Sequence, residues 1–220
     1  MRVNLINLSR QWEDDLPKLL PNLKKTLKSG QYVGGSLIEK IESKISKKIG
    51  VKYTVTLNSG TDALMMALWA LGVKKNDEVI TQSNSFIATA GSIAHLGAKP
   101  VFADVKKDQM ISPTDIENKI TKKTKAIIPV HLTGRIADMK AINKISQKYK
   151  IPIVEDAAQA FGSKYNKSLA GALGTCGCFS AHPLKNLNAM GDSGYLVTNN
   201  SKIAKKIALL RNHGIKRRED

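Results

Sequence analysis

The chain has 220 residues and 42% apolar composition, enough to bury a complete core, and this length favours one large domain over two small ones. It carries no apolar run long enough for a membrane span and no charged-then-apolar leader, so a soluble, cytoplasmic protein with no membrane partner is expected. The formal charge of +17 raises a nucleic-acid reading, but only six of the 35 basic residues are arginine and aromatics make up 5% of the chain, so no basic stripe with interleaved aromatics forms. A lysine-rich, solvated surface explains the charge, and such a surface would attract an anionic small substrate.

Leu37, Ile38, Ile41, Ile45 and Ile49 share one face and predict a helix over 36–49. Short β-branched or apolar runs follow at 53–57, 78–81, 100–103, 125–130, 151–155, 176–180 and 195–198. Helical stretches separate most of them at 62–71, 86–96, 113–120 and 136–149. Strands alternating with helices predict an α/β domain on a mainly parallel sheet. Strands such as 126–130 are apolar without alternation, as a sheet covered on both faces requires.

Ligands of such sheets bind beyond the carboxyl ends of the strands. Polar and turn-forming residues cluster there: Asn58 to Thr61 after the first strand, Gln82 to Ser85 after the second, His131 after the fourth, Asp156 after the fifth and Ser180 to Lys185 after the sixth. These groups are expected to converge on one rim.

The turn Asn58-Ser59-Gly60-Thr61-Asp62 enters a helix, where free N–H groups and the helix dipole suit a phosphate. Gly60 lets the backbone approach closely and Thr61 adds a hydroxyl donor; the plainer reading is that Ser59, Thr61 or Asp62 caps the helix. No G-x-G-x-x-G follows a strand, and Gly171, Gly174 and Gly177 precede one, the wrong context for a nicotinamide site. Cys176 and Cys178 read as small residues along a buried strand, and no His or Cys cluster beside them gives metal-ligand spacing, so no metal is expected.

Glu155 and Asp156 end a buried strand, so their side chains point to opposite faces. A carboxylate on the rim could pair with a cationic ring nitrogen, a metal or a structural arginine. Lys185 follows a strand and a proline turn, held at the rim where desolvation or nearby positive charge would make its amine a nucleophile or base. Against this stands the plain reading of one surface lysine among 29.

The segments NSGTDALMMAL, DEVITQSNSFIATAGSIAHLGAKPVFADV, AIIPVHLTGRIADMKAI, VEDAAQAFGS and FSAHPLKNLNAMGDSGYLVTN, in this order, make the chain resemble the DegT/DnrJ family of sugar aminotransferases from about residue 30 to 214. These are fold-type I enzymes that use pyridoxal 5′-phosphate (PLP). The resemblance implies a three-layer α/β/α large domain with a roughly seven-stranded sheet. It implies Lys185 as the Schiff-base lysine and proton shuttle, and Asp156 as the partner of the protonated pyridine nitrogen. Gly60, Thr61 and Ser180 would hold the phosphate. Phe86 would stack on the ring, the plainer reading being a buried residue at a helix start. Gln159 would lie against the other side of the cofactor or near its ring hydroxyl. His182 lies beside the site with no step assigned.

The family's dehydratase branch has histidine where Lys185 stands, so the lysine points to transamination. The implied reaction moves an amino group, from glutamate, onto a nucleotide-linked keto sugar, in polysaccharide biosynthesis and by a homodimer. The implied organisation is an N-terminal arm and helix at 1–35, a PLP-binding large domain at 36–214 and the start of an otherwise missing C-terminal domain at 215–220. The missing domain supports an alternative, a PLP-fold protein without turnover that acts as a regulator or binding partner.

Overall fold

The computed structural model describes Val3 and residues 5–215. The chain divides into two compact units, Met1–Ile41 and Glu42–Asp220. In the first, helix α1 (Leu8–Ser29) starts where the Asn7 side chain accepts from the Arg10 N–H and ends at Gly30, whose φ of 68° takes the left-handed cap. Leu19, Leu23 and Leu27 lie on it with their side chains exposed. Helix α2 (Ser36–Ile49) spans the predicted segment 36–49. Of the expected C-terminal segment 215–220, all but Ile215 lies outside the described residues.

The second unit is built on seven strands at the predicted places: β1 (Tyr53–Leu57), β2 (Glu78–Gln82), β3 (Lys99–Ala103), β4 (Thr124–Ile128), β5 (Val154–Asp156), then β8 (Cys176–Ser180) and β9 (Gly194–Thr198). A two-strand hairpin, β6 (Lys164–Tyr165) and β7 (Ser168–Leu169), stands apart from them. Hydrogen bonding sets the orders β3-β2-β4 and β5-β8-β9-β1. Parallel bridges from Ile127 to Ile153 and from Val130 to Asp156 join the two halves. Among the described residues of these joined strands, β9 alone runs against its neighbours. Strands β1 and β8 are therefore parallel to each other, and the carboxyl ends of β1, β5 and β8 share one edge.

Strand alternation sorts the apolar residues onto two faces. Val79, Ile128, Val154, Cys176, Cys178 and Leu196 pack with helices α3 (Gly60–Ala70) and α7 (Ser201–Arg211), and with Ile93 of α4 (Ile87–His95). On the opposite face Ile80, Ile127 and Ile153 meet α5 (Pro113–Asn118) and α6 (Met139–Tyr149). Further along that face Phe179, Tyr195 and Val197 meet Ile45 and Ile49 of α2. The architecture is the expected three-layer α/β/α sandwich.

Two helices start two or more residues away from the sequence reading. The helix predicted over 136–149 begins at Met139, because Asp138 caps it by accepting from the Ala141 N–H. Ile136 and Ala137 contribute to the apolar cluster from an extended segment instead. Helix α3 begins at Gly60, two residues before the predicted start, with Ser59 as its cap. Neither the hairpin nor α7 was expected.

Candidate active site

Every turn that the sequence placed on the rim, except one, delivers its polar group there. After β1 the Ser59 hydroxyl accepts from the Asp62 N–H at 3.0 Å, so Ser59 is the cap. Among the described residues no side chain or loop carbonyl accepts from the N–H groups of Gly60 and Thr61, the orphan donors of the first turn. The cap and a free anion-binding turn thus coexist. Gly60 packs directly against Ser180, the last residue of β8, so the two segments expected to share one phosphate are in contact.

The exception is His131. It is fully buried, with Nε2 2.9 Å from Glu155 Oε2. Its Nδ1 accepts from the Ala137 N–H, which makes Nε2 the donor to Glu155. Glu155 and Asp156 point opposite ways, as alternation requires. Glu155 also accepts from the N–H groups of Gly171, Leu173 and Gly174 at 2.8, 2.7 and 2.6 Å, and so ties the loop before β8 to the sheet.

Asp156 is held by two donors, the Thr89 hydroxyl at 2.7 Å on Oδ2 and the Ala158 N–H at 3.2 Å on Oδ1. Neither is a cation. Burial pushes its carboxyl above the usual range, against the pull of the Thr89 and Ala158 hydrogen bonds and of the neighbouring His131 and Lys185. Thr89, on α4, went unread in the sequence.

Lys185 sits in the loop between β8 and β9. That loop is closed by Ala181 N–H to Ser193 O at 2.7 Å, Lys185 N–H to His182 O at 2.8 Å and Ala189 N–H to Ala181 O at 2.8 Å. Lys185 lines an open, polar cleft with Thr133, Gly134, Gln159, Ser163, Leu184 and Asn186. The Gln159 Oε1 accepts from the Thr133 N–H at 2.7 Å, which leaves its amide N–H₂ free of that bond. Phe86 is 71% exposed at the start of α4, which corrects the plainer reading of a buried residue, and it is not among the side chains lining the cleft.

Cys176 and Cys178 are free and buried along β8. Among the described residues no three His, Cys, Asp or Glu side chains cluster as a metal site. No helix among them is long and apolar enough to cross a membrane.

This is the α/β fold of solved PLP-dependent aminotransferases. The structure superimposes on DesV of S. venezuelae, solved in complex with a ketimine intermediate, with a TM-score of 0.96 at 35% identity, over 100% of this chain and 59% of that one. Against NtdA of Bacillus subtilis with bound cofactor PMP the TM-score is 0.88 at 34% identity, over 94% and 47% of the two chains. In sequence the chain is 43% identical to a pleiotropic regulatory protein of Geobacillus stearothermophilus. It is 40% identical to the UDP-2-acetamido-2-deoxy-3-oxo-D-glucuronate aminotransferase of Pseudomonas aeruginosa. Each match covers 98% of this chain and 58% or 60% of the relative, so the chain spans about three fifths of their length. The chain belongs to the DegT/DnrJ/EryC1/StrS aminotransferase family, whose sequence profile matches residues 15–220.

The residues present fit the cofactor of that family. A turn with free N–H groups abuts a serine, which suits a phosphate. A buried carboxylate hydrogen-bonded only by neutral donors suits a protonated pyridine nitrogen.

Proposed function

We propose that this chain is the cofactor-binding part of a PLP-dependent aminotransferase that moves an amino group from glutamate onto a keto sugar carried by a nucleotide. The observation that carries the reading is the convergence of Gly60, Ser180, Asp156 and Lys185, from three strand ends, on one sheet edge. The names of relatives, which include a UDP-keto-sugar aminotransferase, support the substrate class. The charge of +17 supports an anionic substrate.

PLP, when bound, supplies an electron sink for the amino-bearing carbon. The Gly60 and Thr61 N–H groups and the Ser180 hydroxyl bind its phosphate at the positive end of α3. Asp156 holds the proton on the ring nitrogen, its charge undiluted by water. Phe86 and Gln159 would lie on either side of the ring. Lys185 would hold the cofactor covalently, and its amine would hold and move a proton at Nζ. Residues 36–214 form the large domain, and a homodimer in the cytoplasm, engaged in polysaccharide biosynthesis, is the working assembly.

Mixing the protein with PLP should produce a visible absorbance band that borohydride removes, leaving the pyridoxyl group on the peptide containing Lys185. If Lys185→Ala keeps both the band and full turnover, the reading is wrong. A second reading, a regulator or binding protein without turnover, draws support from the relative named a pleiotropic regulatory protein. Conversion of PLP to PMP by glutamate would argue against it.

A further inference from the structure

Asp156 lies on β5, and the strongest hydrogen bond to its carboxylate comes from α4, 67 residues earlier in the chain. Thr89 is the third residue of that helix and is 1% exposed. A helical threonine commonly turns its hydroxyl back onto a carbonyl of the preceding turn. Here the hydroxyl points across to Asp156 Oδ2 at 2.7 Å instead. Ser85 Oγ stands 3.1 Å from Thr89 Oγ1 and 3.3 Å from the Phe86 carbonyl oxygen, and the shorter of the two contacts runs to Thr89. A hydroxyl carries one proton, so while Thr89 gives its own to an ionised Asp156, the Ser85–Thr89 bond must run from serine to threonine. The result is a one-way chain, Ser85 to Thr89 to Asp156, ending on a β5 carboxylate that faces the first turn of α4, where the helix dipole also favours negative charge.

We propose that Thr89, oriented by Ser85, is the positioning residue that keeps Asp156 ionised and fixes Oδ2, leaving the remaining lone pairs of the carboxylate for the ring nitrogen of a bound cofactor. The assignment rests on the PLP reading above for the cofactor, but its effect on Asp156 is a property of the protein alone. Burial works against ionisation here, and the Thr89 bond is the largest influence opposing it. The other groups around Asp156 have separate sources. His131 follows β4 and Lys185 follows β8, and both favour the ionised carboxylate. Cys178 on β8 stands opposite Asp156 in the parallel ladder. Glu155 lies on the same strand, facing away. Helix α4 has no titratable side chain before His95, and α3, which also packs on β5, has only Asp62, in its first turn.

The test compares the wild-type chain with Thr89→Val, which keeps the shape and removes the hydroxyl, and Thr89→Ser, which keeps the hydroxyl. Carbon NMR of the labelled Asp156 carboxyl in the cofactor-free protein should show about a tenfold gain in proton affinity for Thr89→Val, seen as a titration displaced to higher pH. Thr89→Ser should restore the wild-type curve. Ser85→Ala should give a smaller displacement in the same direction, and it carries the test if Thr89→Val does not fold. With PLP added, the absorbance band of Thr89→Val should change with pH over a correspondingly higher range. An Asp156 titration identical in wild type and Thr89→Val, or in wild type and Ser85→Ala if only that variant folds, overturns the proposal. A wild-type chain that gives no PLP band, while its variants still displace the Asp156 titration, overturns the PLP reading and leaves the hydroxyl chain standing.

Discussion

A methyl group on Gly60 would stand 2.9 Å from the Cβ of Ser180 and 3.1 Å from its Cα. The start of α3 and the end of β8 therefore touch at a distance only a glycine permits, and the proposed phosphate cradle is a single surface.

Gly60→Ala should push that surface apart. The nearest atoms are the backbone and Cβ of a strand residue, which cannot swing aside as a long side chain would. The expected cost is about 1–3 kcal/mol of stability and at least a tenfold loss of PLP affinity, read by chemical unfolding and absorbance titration. Gly194→Ala should be worse, since its methyl would meet the Ser59 carbonyl carbon at 2.3 Å and the Gly60 nitrogen at 2.5 Å. Wild-type affinity in both variants would remove the cradle.

Asp156→Asn should separate stability from function. Burial raises the Asp156 carboxyl above its ordinary value of 3.8, so its contribution to stability is complete below that value and is lost as pH rises through the folded value. Asparagine is uncharged at every pH. The cofactor-free variant should thus gain on wild type as pH rises above about 4, while losing transamination. Parallel curves of Tm against pH would contradict this.

Glu155→Ala should be among the most damaging substitutions in the unit. It strands three backbone N–H groups and the buried His131 ring, at an expected cost of about 3 kcal/mol. Glu155→Gln should also fail to rescue, because its amide presents donors to donors. Chemical denaturation measures both, and a loss below about 1 kcal/mol for either would show the loop to be held by other contacts.

Glu42 protects the open edge of the sheet. Strand β1 ends the order β5-β8-β9-β1, and the Glu42 carboxylate accepts from the Thr56 N–H and hydroxyl, both at 2.8 Å, while Arg211 of α7 closes on the same oxygen. Glu42→Ala should cost about 1–2 kcal/mol and raise hydrogen exchange at Thr56 above that at Val55. Unchanged exchange at Thr56 would refute the capping role.

The elements most legible in the sequence were those whose signal is local. The seven main strands stood out because runs such as 126–130 are apolar on both faces. Lys185, Asp156 and Gly60 were readable because strand ends with turn residues mark the rim. Thr89 was not, since its significance depends on a partner 67 positions away and a lone threonine in an apolar helix reads as filler. His131 misled for a related reason: its place after β4 suggested the rim, but the carboxylate that draws it inward lies 24 residues on. The hairpin of β6 and β7 has two residues per strand, too short for any period to register.

Because β9 runs backwards beside β8, the chain leaves the sheet at Ser180 and re-enters it at Gly194, two residues paired across the ladder. The thirteen residues between them hang from a hinge closed by the Ala181 N–H to Ser193 O bond, with Ala181, Leu187 and Ala189 packed on the sheet and Leu184, Lys185 and Asn186 lining the cleft. New residues could enter that loop, or old ones leave it, without moving a single strand. Evolution could thus retailor the wall of the cleft around Lys185 while the platform beneath it stays untouched.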